Sequence, residues 1–278
     1  MSVKSAAKEH SVPAVVQESV GGLAVVSQEE FDIIGNDLGA GLENISMRDQ
    51  VVPYIKVIQQ LSPELNPRKP EYIEGVEIGD FVNSATGRVQ KELHLIAVAY
   101  RWRNVEWKPL RGGFVKDWGD DDAILKASKR DEKTGELITP DGNVIQSQGT
   151  WFCLDVSNDI PERIVVSLSR TQLKRSKEWM SKINGEKVPV KTASGIVLAT
   201  PPIWYRSYKA VTQPESNDRG DWMGWKITPA EKTLDLPGVG RMFYDLAKNF
   251  ALAVQSGEVQ AAVEEAPAER GSSEEAPF

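Results

Sequence analysis

The chain has 278 residues, 40% of them hydrophobic and 26% charged, and its 33 Lys/Arg against 40 Asp/Glu leave a formal net charge of −7. That length allows one large domain or two small ones, with a sizeable core either way. One cysteine, Cys153, and two histidines, His10 and His94, exclude disulfide frameworks, Cys-rich zinc sites, His-based triads and multi-His metal centres.

Residues 1–44 mix Ala, Val, Ser, Glu and Gly with little periodicity and read as a mobile arm, with a short helix at SQEEFDIIGN. The segment MSVKSAAKEHSVPAVVQESVGG has scattered charges and no signal-peptide block. No apolar run approaches the roughly 20 residues that cross a bilayer, so a soluble, cytoplasmic protein without membrane partners is expected. An ordered domain is expected over 45–256. VVPYIKVIQQL, rich in β-branched residues, predicts a strand over about 51–59, followed by the Pro-rich loop LSPELNPRKPEYIEGVEIG. FVNSATGRV predicts two short strands about a turn at Ala85–Gly87, and LHLIAVAYRWRNVEWKPL a long, bent strand over 93–110. From about 116 to 149 the text is polar, with turn signals at KTGE and PDGN, and reads as an exposed excursion. WFCLDV and RIVVSLS then predict a hairpin, within which Cys153 reads as a small buried hydrophobe.

SLSRTQLKRSKEWMSKING carries the clearest helical signal. Ser169 and Gln172 have the spacing of a capping box, and Gly185 suits the C-terminal cap. Leu173, Ser176, Trp179, Met180 and Ile183 share one face, leaving Lys174, Arg175, Lys177 and Lys182 on the other. PIWYRSYKAVTQPES and GDWMGWKITP read as two strands about the turn SNDRG. LPGVGRMFYDLAKNFALAV predicts a second amphipathic helix, and residues 257–278 an acidic tail too polar to fold alone. There are no repeats and no βαβ alternation, so the expected class is α+β, with a mainly antiparallel sheet or OB-like barrel and two amphipathic helices.

No phosphate-binding glycine loop is present, since LPGVGRMF lacks a third glycine and a preceding strand. Asp117, Asp120, Asp121 and Asp122 could attract a divalent cation. A contiguous Asp run is more simply a solvated loop, and a Mg-dependent nuclease centred on Asp120–Asp122 stays a remote alternative. No cofactor or catalytic residue is expected.

Charge is unevenly spread. Residues 257–278 hold six Glu and one Arg, whereas Arg163 to Lys209 holds ten Lys/Arg against two Glu, a local excess of +8. Aromatic residues alternate with cations in three strand-like stretches: AYRWRNVEW with Arg101, Trp102, Arg103 and Trp107; WYRSYK with Trp204, Tyr205, Arg206, Tyr208 and Lys209; DWMGWK with Trp222 and Trp225. Single-stranded nucleic acid needs both residue types, flat rings to stack on bases and cations to follow phosphates. On strands with a period of two, Arg101, Arg103 and Trp107 share a face, as do Trp204, Arg206 and Tyr208. Arg101, Arg103, Lys174, Arg175, Lys177, Lys182, Arg206 and Lys209 are the phosphate candidates, and the named aromatics the stacking candidates, roughly half of which should be core. A module that binds proteins rather than DNA, such as a transcription regulator or virion component, is the alternative.

The stretches PYIKVIQQLSPE, GDFVNSATGRV, LSRTQLKRSKEW and ESNDRGDWMGWKI resemble tailed-phage early proteins, among them single-stranded DNA-binding proteins of the Drc type that act as RNA polymerase cofactors. The resemblance covers about residues 50–255. It implies a non-enzymatic protein that coats single strands, forms homo-oligomers and serves phage replication or transcription in the host cytoplasm, with RNA polymerase or replication proteins as partners. The tip SSEEAPF is similar to the acidic, Pro-Phe-ended tails of bacterial single-stranded DNA-binding proteins, with Glu in place of Asp and Ala276 where a larger apolar residue is usual. That likeness implies a partner-binding tip of Glu274, Glu275, Pro277 and Phe278, on a tail whose coil reach of roughly 25 Å lets its glutamates compete with DNA for the basic face.

Overall fold

The computed structural model describes residues 19–20, 23–24, 27–37, 40–41, 52–218, 220–259 and 261, and the chain divides into two units, Met1–Glu43 and Asn44–Phe278. In the first, β1 (Ser19–Val20) pairs antiparallel with β2 (Leu23–Ala24), and α1 (Gln28–Ile34) follows. This helix, expected at SQEEFDIIGN, starts on a reciprocal cap: the Glu30 N–H donates to Ser27 Oγ at 3.2 Å, and the Ser27 N–H donates to the Glu30 carboxylate at 2.9 Å. The tail residues Glu274, Glu275, Pro277 and Phe278 lie outside the described residues.

Two long strands organise the second unit. β6 (Glu92–Trp107) and β10 (Val144–Asp155) pair antiparallel from Leu95–Asp155 to Trp107–Val144. The register shifts between Phe152 and Cys153, where Val98 is left unpaired; this bulge supplies the bend expected in 93–110. Leu93, Leu95 and Ala97 are buried on one face of β6, Ile96 and Val98 on the other. Two-sided burial is why LHLIAVAY reads as a continuous apolar run rather than an alternation.

Each central strand carries shorter strands along its outer edge. β7 (Phe114–Asp117) and β14 (Arg206–Asn217) flank β6, with β15 (Gly220–Lys232) beyond β14. β9 (Leu137–Ile138) and β11 (Glu162–Ser169) flank β10, with β8 (Lys129–Arg130) beyond β9. The result is an antiparallel sheet curled into a half-barrel, within an α+β fold. A three-stranded sheet of β3 (Ile55–Val57), β4 (Phe81–Asn83) and β5 (Val89–Gln90), short α2 (Ala123–Ala127) and the hairpin of β12 (Val188–Thr192) and β13 (Gly195–Ala199) lie outside it.

A helix covers each face. On one, α3 (Leu173–Gly185) buries Ser176, Trp179 and Ile183; on the other, α4 (Gly240–Gln255) buries Phe243, Ala247, Phe250, Ala251 and Val254. Adjacent residues of β10 serve opposite faces. Trp151 stacks on Trp179 at 4.2 Å between centroids and donates its indole N–H to Ser176 Oγ at 2.9 Å, while Phe152 meets Phe250 edge-on at 6.3 Å. Cys153 is buried on the α3 side, and burial raises its thiol pKa well above the ordinary value.

Two local expectations need correction. The capping box at Ser169 and Gln172 does not form. Ser169 Oγ instead accepts from Gln146 Nε2 at 2.6 Å, while Gln172 accepts the Trp225 N–H at 2.8 Å, so long-range partners displace the local pair. Between them Arg170 takes a left-handed backbone, φ 50°. Further on, Ile203–Tyr205 forms a single 3₁₀ turn, and the strand begins only at Arg206. Trp204 therefore shares no strand face with Arg206 and Tyr208.

Candidate nucleic-acid interface

Because the inner side of α3 is fixed by Trp179 and Ile183, its outer side is held towards solvent. Lys174, Lys177 and Lys182 are exposed there. Lys182 Nζ donates to the Ile227 carbonyl at 2.6 Å, tying the helix end to β15, whereas Lys174 and Lys177 make no ion pair among the described residues. Beside the helix start lies a groove of about 720 Å³ bounded by Arg130, Gln146, Arg170, Thr171 and Trp222. It continues past Lys174, Gln213 and Trp222, then along Lys182, Lys226 and Thr228. Cations thus flank a path that passes the half-buried ring of Trp222, with Glu136 and Asp221 also on its walls.

That path has a fixed carboxylate beneath it. Glu215 on β14 accepts from Arg175 Nη2 at 2.6 Å, Gln172 Nε2 at 3.0 Å, Trp222 Nε1 at 3.1 Å and Gln213 Nε2 at 3.2 Å. Desolvation pushes its pKa up, but the donors, Arg175 foremost, outweigh that and hold it below the ordinary value. A Cβ at Gly224 would stand 2.4 Å from the Glu215 carboxyl carbon, so a larger residue there would push the carboxylate away from its donors. This hub fixes the Trp222 indole by its edge and docks α3 on the β14–β15 hairpin. Arg175, further engaged with Glu178 at 3.0 Å, is a positioning residue and not a free cation.

The remaining expected residues scatter. Arg103 is 7% exposed and pairs with Asp117 at 2.6 Å, and Arg206 is clamped by Glu186 while donating to the Ala230 carbonyl at 2.7 Å. Both guanidiniums are spent on carboxylates, Asp117 on the neighbouring strand β7 and Glu186 at the end of α3, because partly buried charges need such partners. Lys209, exposed, lies 3.3 Å from Glu92. Arg101 donates to the Val254 carbonyl at the end of α4, on the opposite side of the sheet from α3. Among the aromatics, Tyr208 and Trp225 are core, at 1% and 4% exposure. Trp204 packs edge-on against Tyr244 on the α4 side, Trp107 against Phe114, Tyr205 lies under Lys232, and Trp102 is half-buried. The structure therefore brings together Lys174, Lys177, Lys182 and Trp222, and adds Arg130, Lys226 and Arg170, the last exposed but paired with Glu136 at 3.3 Å. Arg170 was visible just ahead of the basic helix; Arg130, inside the polar excursion, had no signal.

The aspartate run is not assembled as a site. Asp117 is taken by Arg103, and Asp121 Oδ1 accepts the Ala123 N–H at 2.8 Å at the start of α2. Among the described residues, no three His, Cys, Asp or Glu side chains are grouped to hold a metal, and no helix is long and apolar enough to cross a membrane.

The fold and surface define an α+β protein in which a half-barrel sheet presents a basic helix on one face. The chain belongs to the Pam3 phage gp34-like family, whose model matches residues 26–260, and so is a phage protein. No curated protein and no solved structure matches it.

Proposed function

We propose that this phage protein binds single-stranded DNA without marked sequence preference, in replication or transcription, along the outer face of α3 and the groove beside it. The observation that carries this reading is the exposed Lys174–Lys177–Lys182 face, rigidly backed by the core and continuous with a groove over Trp222. Lys174 and Lys182 are separated by about 12 Å along the helix axis, which suits cations that follow successive phosphates. Trp222 supplies a ring for base stacking, worth about 1–3 kcal/mol.

The test is fluorescence anisotropy of a labelled oligo-dT across a salt series. Wild-type affinity is expected to fall as salt rises, because binding releases counterions. Lys174/Lys177/Lys182→Glu is expected to lower affinity about 10-fold or more and to flatten the salt slope by about two units, near 0.7 per lost phosphate contact. The control Arg241/Lys248→Glu, on exposed positions of α4, should bind like wild type. Wild-type retention by the α3 variant, at unchanged circular dichroism, removes α3 as the interface.

A further inference from the structure

The hairpin β12–β13 contributes no residue to the core clusters, yet its side chains are apolar on both faces. Ile196 is 75% exposed, Leu198 72%, Val197 44% and Val190 41%. A lone two-stranded hairpin is marginal in water. No other strand among the described residues pairs with either of its edges.

The two edges differ. The register runs from Val188–Ala199 through Val190–Val197 to Thr192–Gly195, closed by the two-residue turn Ala193 and Ser194. In such a hairpin the closing pair is hydrogen-bonded, so the main-chain groups of Thr192, Val190 and Val188 face β13, and those of Lys191 and Pro189 face outward. Pro189 sits where a missing N–H costs the hairpin nothing. The outer edge of β12 is thus blunted by a proline and a lysine, as protected edges are. On β13 the outward groups belong to Ile196 and Leu198, both complete, and GIVLA carries no charge.

We infer that β13 pairs antiparallel with β13 of a second copy, about a two-fold axis at Val197. Ile196 of each copy then faces Leu198 of the other, and their outward N–H and C=O groups exchange four hydrogen bonds. Val197 meets its own counterpart at the axis. One face of the four-stranded sheet carries the row Val190, Val197, Val197, Val190; on the other, each Ile196 lies beside a Leu198. The lysines at 191 occupy outer strands, about 14 Å apart laterally across three strand spacings and two residues out of register, so the symmetry sets no like charges face to face. An isologous contact of this kind closes as a dimer. A contact centred on the five residues of β13 in each copy falls well short of the roughly 20–30 residues a side of a standard stable interface, which fits a concentration-dependent dimer. An oligonucleotide is the poorer occupant, since β13 offers neither a ring to stack on nor a cation for phosphate.

Sedimentation velocity of the full chain over a concentration series tests this. Wild type is expected to shift from monomer to dimer. Ile196→Lys should remain monomeric, and adding Leu198→Glu should restore dimerisation, because each new lysine then faces a new glutamate of the other copy. Val197→Cys should yield a disulfide-linked dimer on a non-reducing gel. A non-hydrogen-bonded antiparallel pair sets Cα atoms about 4.5 Å apart, within disulfide range, and the native Cys153 is buried. A wild type monomeric at every concentration, an Ile196→Lys variant that dimerises like wild type, or a Val197→Cys variant that forms no cross-link overturns the proposal. So does Ile196→Lys losing oligo-dT affinity with its mass distribution unchanged, which would make the hairpin a nucleic-acid arm. The α3 charge variant should dimerise normally, so this result and the DNA result can fail separately.

Discussion

α3 and α4 do the same structural work on opposite faces of one sheet, and their outer surfaces have diverged completely. Each buries an aromatic at its centre, Trp179 in α3 and Phe250 in α4. Outside, α3 presents lysines and is locked to β14 and β15 by the Glu215 hub and Lys182. α4 instead pairs Arg241 with Asp245 at 2.8 Å and leaves Leu246 and Leu252 exposed, at 36% and 54%. Amphipathicity therefore explains why both helices exist, and it is the outward chemistry that separates the covering helix from the proposed interface.

The strongest way to challenge this comparison is to cut each anchor. Trp179→Ala and Phe250→Ala should each destabilise the protein by about 3–5 kcal/mol in chemical denaturation, since both empty a fully packed aromatic site. In the concentration range where the variants stay folded, only Trp179→Ala should weaken oligo-dT binding, because only α3 carries the lysines proposed to contact DNA. Equal loss of binding in both variants would show that the faces are not separable.

A smaller effect is expected at the hub that belongs to α3 alone. Glu215→Gln removes the charge that Arg175 faces and should cost about 1–3 kcal/mol. The folded Glu215 carboxyl has a lowered pKa. Its stabilisation is thus present above the ordinary carboxylate value and is lost as pH falls through the lower folded value. Acid titration of stability should be shallower in the variant than in wild type; parallel curves would exclude Glu215 as the linked group.

The smallest effect lies at the alkaline end. Burial pushes the Tyr208 phenol from 10 to about 12. The folded state then keeps a proton that the unfolded chain gives up near pH 10, so stability is full below pH 10 and declines as pH rises towards 12. Tyr208→Phe should flatten that decline, read by denaturation midpoints between pH 9 and 12. An unchanged decline would place the alkaline sensitivity elsewhere.

The two amphipathic helices and the strands of the central sheet were legible because they depend on local pattern, such as the period of Leu173, Ser176, Trp179 and Ile183 and the apolar run of β6, whereas α2 and the hairpin β12–β13 carried no reading. The proposed interface was legible only in part. Lys174, Lys177 and Lys182 could be placed on an outer face from helical spacing alone, since Trp179 could face only inward. Arg103, Arg206 and Arg175 looked like equal candidates, and nothing in their neighbours reveals that Asp117, Glu186 and Glu215 neutralise them. Those partners lie 14, 20 and 40 residues away in sequence. The aromatics divided for the same reason: Trp222 and Trp225 are three residues apart, yet the first is half-buried beside the groove and the second is buried in the core, packed on Phe81 at 4.6 Å.

The sequence by itself determined the α+β class, the two amphipathic helices, and the concentration of positive charge on the outer side of α3. These follow from side-chain period and composition, which act over one or two turns of chain. Only the tertiary structure decided which cations remain free, which rings reach the surface, and that β12–β13 stands alone with one open edge. Ion pairing, burial and strand pairing are contacts between distant segments, and their outcome depends on how the strands are ordered in space.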